Sequence, residues 1–453
     1  MTSGPSFEAL TGGRAPFVAG TAFELGPLGY DAGEYAFAGS ASAYRRQGGG
    51  LAVVEEADFV TRVLVHRPSD PSAFNGTVWV EWLNVSGGLD AAPAWLLAHT
   101  EMMRRGAAWV GVSAQQLGVM GGTSILGMSS PGLVGTDPDR YRGLHHPGDR
   151  FSYDIYAQAS SALRRVTGTV LDDLSVERVL AVGDSQSAFR LTTFVNDIDP
   201  MTGAHDGFLI QARVGATGPL DDEGDPDAIR NGPPVAFRDD LRVPVLCVES
   251  ETDLMTLNFL AARQDDAERF CLWEIAGTSH ADAYVFAVGA IDTGTLPVDE
   301  LARAWAPRRD LFGMTLDHPY NTGPQHYVRN AAAAHLDTWV TDGVRPPTSD
   351  RLEVRDGEFV TDDLGNVRGG IRTPHVDAPV AVLSGLGNGG APISFLCGRT
   401  VPFDDATLRA LYSSRDDYLG RFGDATEAAV AAGFVLADDA AEIIAIAGRT
   451  SPL

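Results

Sequence analysis

The sequence predicts an α/β domain, a mostly parallel sheet covered by helices on both faces. Short apolar runs of strand length alternate along the chain with segments of helical spacing, the order that builds parallel sheets. Several of those runs are apolar at nearly every position, as strands buried on both faces are. The chain is also long enough to bury a large core, with 453 residues of which 44% are hydrophobic and 21% charged.

Taken in order, residues 1–50 read as an irregular or hairpin-like prelude, ending at Gly48-Gly49-Gly50. Residues 58–66 alternate like a half-exposed strand, and Pro68 and Pro71 mark a turn. A buried strand is expected over 77–85, then a helix over 93–105 whose inner stripe is Trp95, Leu96, His99, Met102 and Met103. Another buried strand covers 108–113. Residues 115–150 read as a long Gly-, Ser- and Pro-rich loop, of a length that is often functional. Helices over 153–166 and 186–196 flank a strand over 176–182. Strands follow over 207–214, 243–248 and 271–275, the last two joined by a helix over about 254–268. An amphipathic helix over 325–340 precedes Pro346-Pro347, a plausible boundary. Beyond it, 351–402 is Gly-rich with short strand-like pieces, and 404–447 suggests two or three helices. The expected division is a prelude (1–50), a core (51–343) with an inserted segment near 281–323, and an accessory or cap region (344–453).

Composition excludes several classes. Against 60 acidic residues stand 34 basic ones, a net charge of −26, which repels phosphate backbones and anionic lipid. All the basic residues are arginine, so Walker A loops, Schiff-base lysines and Ser-Lys dyads are ruled out. Cys247, Cys271 and Cys397 form no CxxC pair, and neither a disulfide scaffold nor a zinc ribbon is expected. With no apolar leader at 1–16 and no run of 18 apolar residues, a soluble, cytoplasmic protein is expected. Apolar helix faces serve a core or a homo-oligomer equally well.

The sharpest local signal is Gly183-Asp184-Ser185-Gln186-Ser187-Ala188, between an apolar strand and a helix. A nucleophile on so tight a turn needs small residues two before and two after it, so that the helix can approach the strand. Gly183 and Ser187 meet that need, and the Gln186 N–H at the helix start faces an oxyanion developing beside Ser185. The partners that activate a serine follow in the order acid, then histidine, each just after a predicted strand. Residues 249–253 offer Asp253, with Glu251 as a rival on the same loop, and Gly277-Thr278-Ser279-His280 offers the base.

These landmarks resemble the α/β-hydrolase superfamily. More narrowly, they resemble a bacterial "alpha/beta hydrolase domain-containing" group of about this length with a G-x-S-Q-S-A elbow. Val80-Glu81-Trp82-Leu83-Asn84-Val85-Ser86-Gly87-Gly88 and Gly369-Gly370-Ile371-Arg372-Thr373-Pro374 complete the likeness, which covers most of the chain. The resemblance implies an α/β-hydrolase fold, Ser185 as nucleophile, His280 as base then acid, and an acid at Asp253. It implies a second oxyanion donor on the loop at 84–88, where many relatives read His-Gly; either Val85 or Ser86 would supply it.

Substrate contacts are expected from Asn84, Gln115 and Gln116, with Met120, Leu126 and Met128 as an apolar wall. His145-His146 beside Asp149 is read as a solvated pair, since adjacent histidines point apart. Trp82, Trp95 and Trp339 are read as core. Gly385-Leu386-Gly387-Asn388-Gly389-Gly390 fits G-x-G-x-x-G but leads into Ala391-Pro392 and no helix, so no dinucleotide site is expected. The acidic stretch 220–227 is read as a solvated loop. The favoured activity is cofactor-independent, metal-independent hydrolysis of a small-molecule ester or lactone. Amidase, peptidase or acyltransferase chemistry would use the same triad, and a ligand-binding protein with an idle triad is the competing class. Haloalkane dehalogenation is disfavoured because Ser185 stands where Asp is needed.

Overall fold

The apolar runs assemble into one nine-stranded sheet in the computed structural model, which describes residues 5–14, 16–164, 170–171, 174–221 and 228–453. Its strands are β1 (Ser6–Ala9), β2 (Tyr30–Gln47), β3 (Gly50–Pro68), β4 (Thr77–Trp82), β5 (Ala108–Val112), β6 (Arg178–Asp184), β7 (Gly207–Gln211), β8 (Val245–Ser250) and β9 (Phe270–Ile275). Their spatial order is β1-β2-β3-β5-β4-β6-β7-β8-β9. From β5 to β9 all neighbours pair in parallel, while β1, β2 and β3 add an antiparallel edge. Every residue of β4, β5, β7, β8 and β9 is buried, which is why these strands read as mostly apolar runs.

Period-two geometry sorts their side chains into two cores. Val78, Val80 and Trp82 enter one core with Val110, Val112 and Tyr156. Trp79 and Leu83 enter the other, with Trp95, Trp109 and Val328. Helices α1 (Pro93–Arg104) and α2 (Ser152–Leu163) lie on opposite faces by this sorting. The other elements near the loops at the strand ends are α3 (Gln186–Thr193), α4 (Glu251–Met255) and α5 (Gln325–Asp342). Trp82, Trp95 and Trp339 are all buried.

Several elements differ from expectation. Position 50 is no boundary: β2 and β3 pair from Tyr30↔Pro68 to Gln47↔Gly50, and Gly48 and Gly49 supply the positive φ of the hairpin turn. A register shift at Ala43/Tyr44 breaks the alternation that would have announced β2. The 115–150 segment is no plain loop. It contains helices Gln116–Met120, Gly132–Thr136 and Pro138–Tyr141 and has a small core of Val119, Leu133, Tyr141 and Leu144. Between β8 and β9 the helix stops at Met255, because Asn258 adopts φ 58 and turns the chain into a 3₁₀ segment, Phe259–Ala262. His146 is buried rather than solvated, with Nε2 against the Ala114 carbonyl at 2.9 Å. Parts of the 153–166 helix and of the 220–227 loop lie outside the described residues.

The tail is joined to the body at several places. The Ile371 N–H bonds the Glu274 carbonyl at 2.7 Å and its carbonyl accepts the Ala276 N–H at 3.0 Å, extending the β9 edge. Three longer helices lie further on, α6 (Asp405–Leu411), α7 (Arg415–Ala431) and α8 (Ala437–Thr450). Tyr327 Oη of α5 donates to Glu442 of α8 at 2.9 Å, and His335 Nε2 meets the Gly433 carbonyl at 2.8 Å. Helix α5 is therefore buried around most of its circumference instead of showing one wet face.

Candidate active site

The turn from β6 to α3 holds Ser185 at φ 61 and ψ −117, a conformation that costs a non-glycine residue about 1–3 kcal/mol. Neighbours over-determine it. A Cβ on Gly183 would meet Leu191 Cδ1 at 2.8 Å and the Ser187 carbonyl carbon at 3.1 Å, so only glycine allows this approach of strand and helix. Ser187 does more than stay small: its Oγ accepts the Asp184 N–H at 3.0 Å and donates to the Asp184 carbonyl at 2.8 Å. The Ser185 N–H bonds the Gln211 carbonyl of β7 at 2.9 Å.

Asn84 clamps the facing loop to this turn. Its Nδ2 donates to the Asp184 carbonyl at 2.9 Å, and its Oδ1 accepts the Ser86 N–H at 2.8 Å. The Ser86 amide is thereby engaged. Among the described residues the Val85 N–H has no protein acceptor, and neither does the Gln186 N–H at the start of α3. Behind this loop, Glu81 is fully buried and accepts the Ala94 and Trp95 N–H groups and Trp109 Nε1–H, each at 2.9 Å. Burial pushes its carboxyl up to about 8 although the three donors pull the other way. Glu81 fixes the start of α1; its one sequence signal is an acid inside an apolar strand.

The two rival acids separate cleanly. Ser250 caps α4 with a reciprocal capping box: Asp253 Oδ2 accepts the Ser250 N–H and Oγ–H, both at 2.7 Å. This leaves Asp253 Oδ1 at 2.6 Å from His280 Nδ1. Glu251 points elsewhere, accepting the Gly277 N–H at 2.6 Å and the Gly385 N–H at 2.7 Å, and burial raises it to about 7. Burial alone would depress His280, but the charge and hydrogen bond of Asp253 overturn this and hold it above the ordinary imidazole value. His280 Nε2 makes no hydrogen bond among the described residues.

The expected substrate contacts fare differently. Asn84 is buried and both ends of its amide are engaged in the clamp, so it holds backbone. Gln115 is buried as well, between Trp82 Nε1 at 3.1 Å and Asp149 Oδ2 at 3.1 Å. Gln116 is exposed, with its backbone N–H on Asp149 Oδ1 at 2.7 Å. Met128 is exposed, and its Cε lies 3.8 Å from the position of a Cβ on Gly87. The Gly385 segment packs the acid loop: the Gly385 carbonyl accepts Thr252 Oγ1–H at 2.6 Å. Asn321, unmarked in the sequence, donates to the carbonyls of Gly277 and Ser384, both at 3.0 Å. Among the described residues no group of three or more His, Cys, Asp or Glu side chains could hold a metal, and no helix is long and apolar enough to cross a membrane.

The chain is similar to esterase Est22 at 11% identity, over 54% of this chain and 72% of that one, with a TM-score of 0.32. It is similar to a thermostable esterase from Pseudomonas putida ECU1011 at 14% identity, over 51% of this chain and 66% of that one, with a TM-score of 0.27. No curated protein matches. A family model described as an alpha/beta hydrolase domain matches residues 2–445. The chain thus belongs to the α/β-hydrolase family.

Proposed function

We propose that the protein is a serine carboxylesterase that cleaves an ester or lactone through an acyl-enzyme. The observation that carries this reading is the 2.6 Å contact of His280 Nδ1 with Asp253 Oδ1, which leaves Nε2 as the nitrogen available to a serine. The strained backbone of Ser185 supports it. In the first half-reaction Ser185 Oγ adds to the carbonyl carbon while its proton passes to His280 Nε2. Asp253 holds the Nδ1–H tautomer and stabilises the imidazolium. The N–H groups of Gln186 and Val85 receive the oxyanion. Collapse breaks the C–O bond, and His280 returns the proton to the leaving alkoxide. Water then repeats the sequence, releasing the acid and regenerating Ser185.

The test is mass spectrometry after exposure to a fluorophosphonate, with wild type, Ser185→Ala and His280→Ala side by side. A single adduct on Ser185, formed far more slowly without His280, is expected, followed by turnover of p-nitrophenyl esters. No adduct on the folded wild-type protein overturns the proposal.

A further inference from the structure

A hydrogen-bonded chain on α5 joins the two loops that carry Ser185 and His280. Arg329 is completely buried. Its Nη1 donates to Asp184 Oδ2 at 3.0 Å, while its Nε and Nη2 donate to Gln325 Oε1 at 3.0 and 2.7 Å. Gln325, one turn earlier and equally buried, donates from Nε2 to the Ser279 carbonyl at 2.9 Å and to the His280 carbonyl at 3.5 Å. The residue before the nucleophile is thereby tied to the backbone of the base through two side chains of one helix.

Stability alone is a poor reason for this arrangement. Taking a guanidinium and a carboxylate out of water is costly, and an apolar pair of similar volume often folds as well or better. What the polar chain supplies is geometry. A planar guanidinium presents donors on separate edges, so one side chain can grip the elbow and the relay together, whereas the three donors of an ammonium radiate from one atom. We propose that Arg329, relayed by Gln325, is a positioning residue that holds the nucleophile turn and the histidine loop in reacting register. The inference rests on the serine-hydrolase reading above.

Charge gives the proposal a signature that packing lacks. His280 faces Asp253 from the β8–α4 turn, Asp184 from the end of β6 and Arg329 from α5; Asp184 favours its protonated form and Arg329 opposes it. Asp282, two residues beyond His280, also faces Arg329. Asp184→Asn takes away the carboxylate that favours the imidazolium while Arg329 still opposes it, so the acidic limb of the pH profile should move to lower pH. Arg329→Lys keeps the charge but loses the fork, so its rate should fall while the limb stays.

The experiment measures p-nitrophenyl acetate hydrolysis from pH 5 to 9, with kcat expressed per site titrated by a fluorophosphonate. Wild type, Arg329→Lys, Gln325→Met and Asp184→Asn are compared. Expected for the lysine and methionine variants is a loss of at least about tenfold in kcat per titrated site, with KM within about twofold. Expected for Asp184→Asn is the downward shift of the acidic limb. Per-site kcat within about twofold of wild type in the folded variants would overturn the proposal, since a purely structural role lowers only the number of sites. If Arg329→Lys and Gln325→Met fail to fold, the near-isosteric Asp184→Asn decides, and an unchanged rate and limb would overturn it. A wild-type protein that is not titrated at all refutes the hydrolase reading itself, a result distinct from the others.

Discussion

Exchanging the two carboxylates near His280 for their amides, one at a time, separates catalysis from architecture. Asp253 meets His280 Nδ1 at 2.6 Å. An amide at 253 would offer N–H where the ring donates, favouring the tautomer with its proton on Nε2, which cannot accept the serine proton. Loss of a triad acid's charge typically costs about 10⁴ in kcat, or about 5.5 kcal/mol of barrier. Glu251 instead accepts two backbone N–H groups, from Gly277 at 2.6 Å and Gly385 at 2.7 Å. Glu251→Gln keeps one oxygen and turns an NH₂ toward the other donor, costing about 1–3 kcal/mol of stability. The assay is steady-state hydrolysis of a p-nitrophenyl ester, paired with urea unfolding of the same samples. Asp253→Asn should lose about three to four decades of kcat with a nearly unchanged urea midpoint. Glu251→Gln should lower the midpoint and keep kcat within about tenfold. The reverse pattern, with the rate lost at 251 and kept at 253, would refute the reasoning.

Asn84→Ala removes both bonds of the clamp, to the Asp184 carbonyl and from the Ser86 N–H. With the loop that carries the proposed oxyanion donor released, kcat should fall by about 10²-fold while KM changes little, as checked by steady-state kinetics. His280 is held above the ordinary imidazole value of 6.5, and as the proposed base it must be neutral to act. Activity should therefore rise with pH through an acidic limb lying above 6.5, which a rate profile over pH 5–9 measures. The raised pKa values of Glu81 (about 8) and Glu251 (about 7) mean that the native state retains protons that the unfolded state releases. Their contribution to stability is complete below their unfolded value and is lost as pH rises through 7–8. Unfolding free energy should thus fall by about 1 kcal/mol between pH 7 and 8, and the slope should flatten in Glu81→Gln.

What could be read in advance follows from what each feature needs of its side chains. The parallel strands were legible because burial on both faces leaves few polar positions, Glu81 among them, beside Val78, Val80 and their neighbours. The turn around Ser185 was legible because close packing demands small residues at 183 and 187. The acid was legible only as a preference for Asp253 with Glu251 as rival, since the two share one turn of chain and differ only in which way α4 directs them. The free amide at Val85 was not legible, because a backbone N–H has no sequence identity. Asn84 looked like a ligand contact for the reason that makes it a clamp, a polar side chain at the end of a buried strand. Pro346-Pro347 reads as a boundary, yet the Pro347 carbonyl accepts Trp273 Nε1–H at 2.8 Å and the chain stays on the sheet edge.

The attachment of the tail has a consequence for the order in which the protein is made. Gly385 supports Glu251 and Thr252, and the Leu396 carbonyl accepts the Ala281 N–H at 3.0 Å. These supports leave the ribosome long after Ser185 and His280 have been synthesised. A nascent chain halted near residue 345 contains every residue of the proposed triad and none of the tail segment that braces the acid and histidine loops. The bracing of the acid and histidine loops is in this sense deferred until residues 385–396 have been added to the chain.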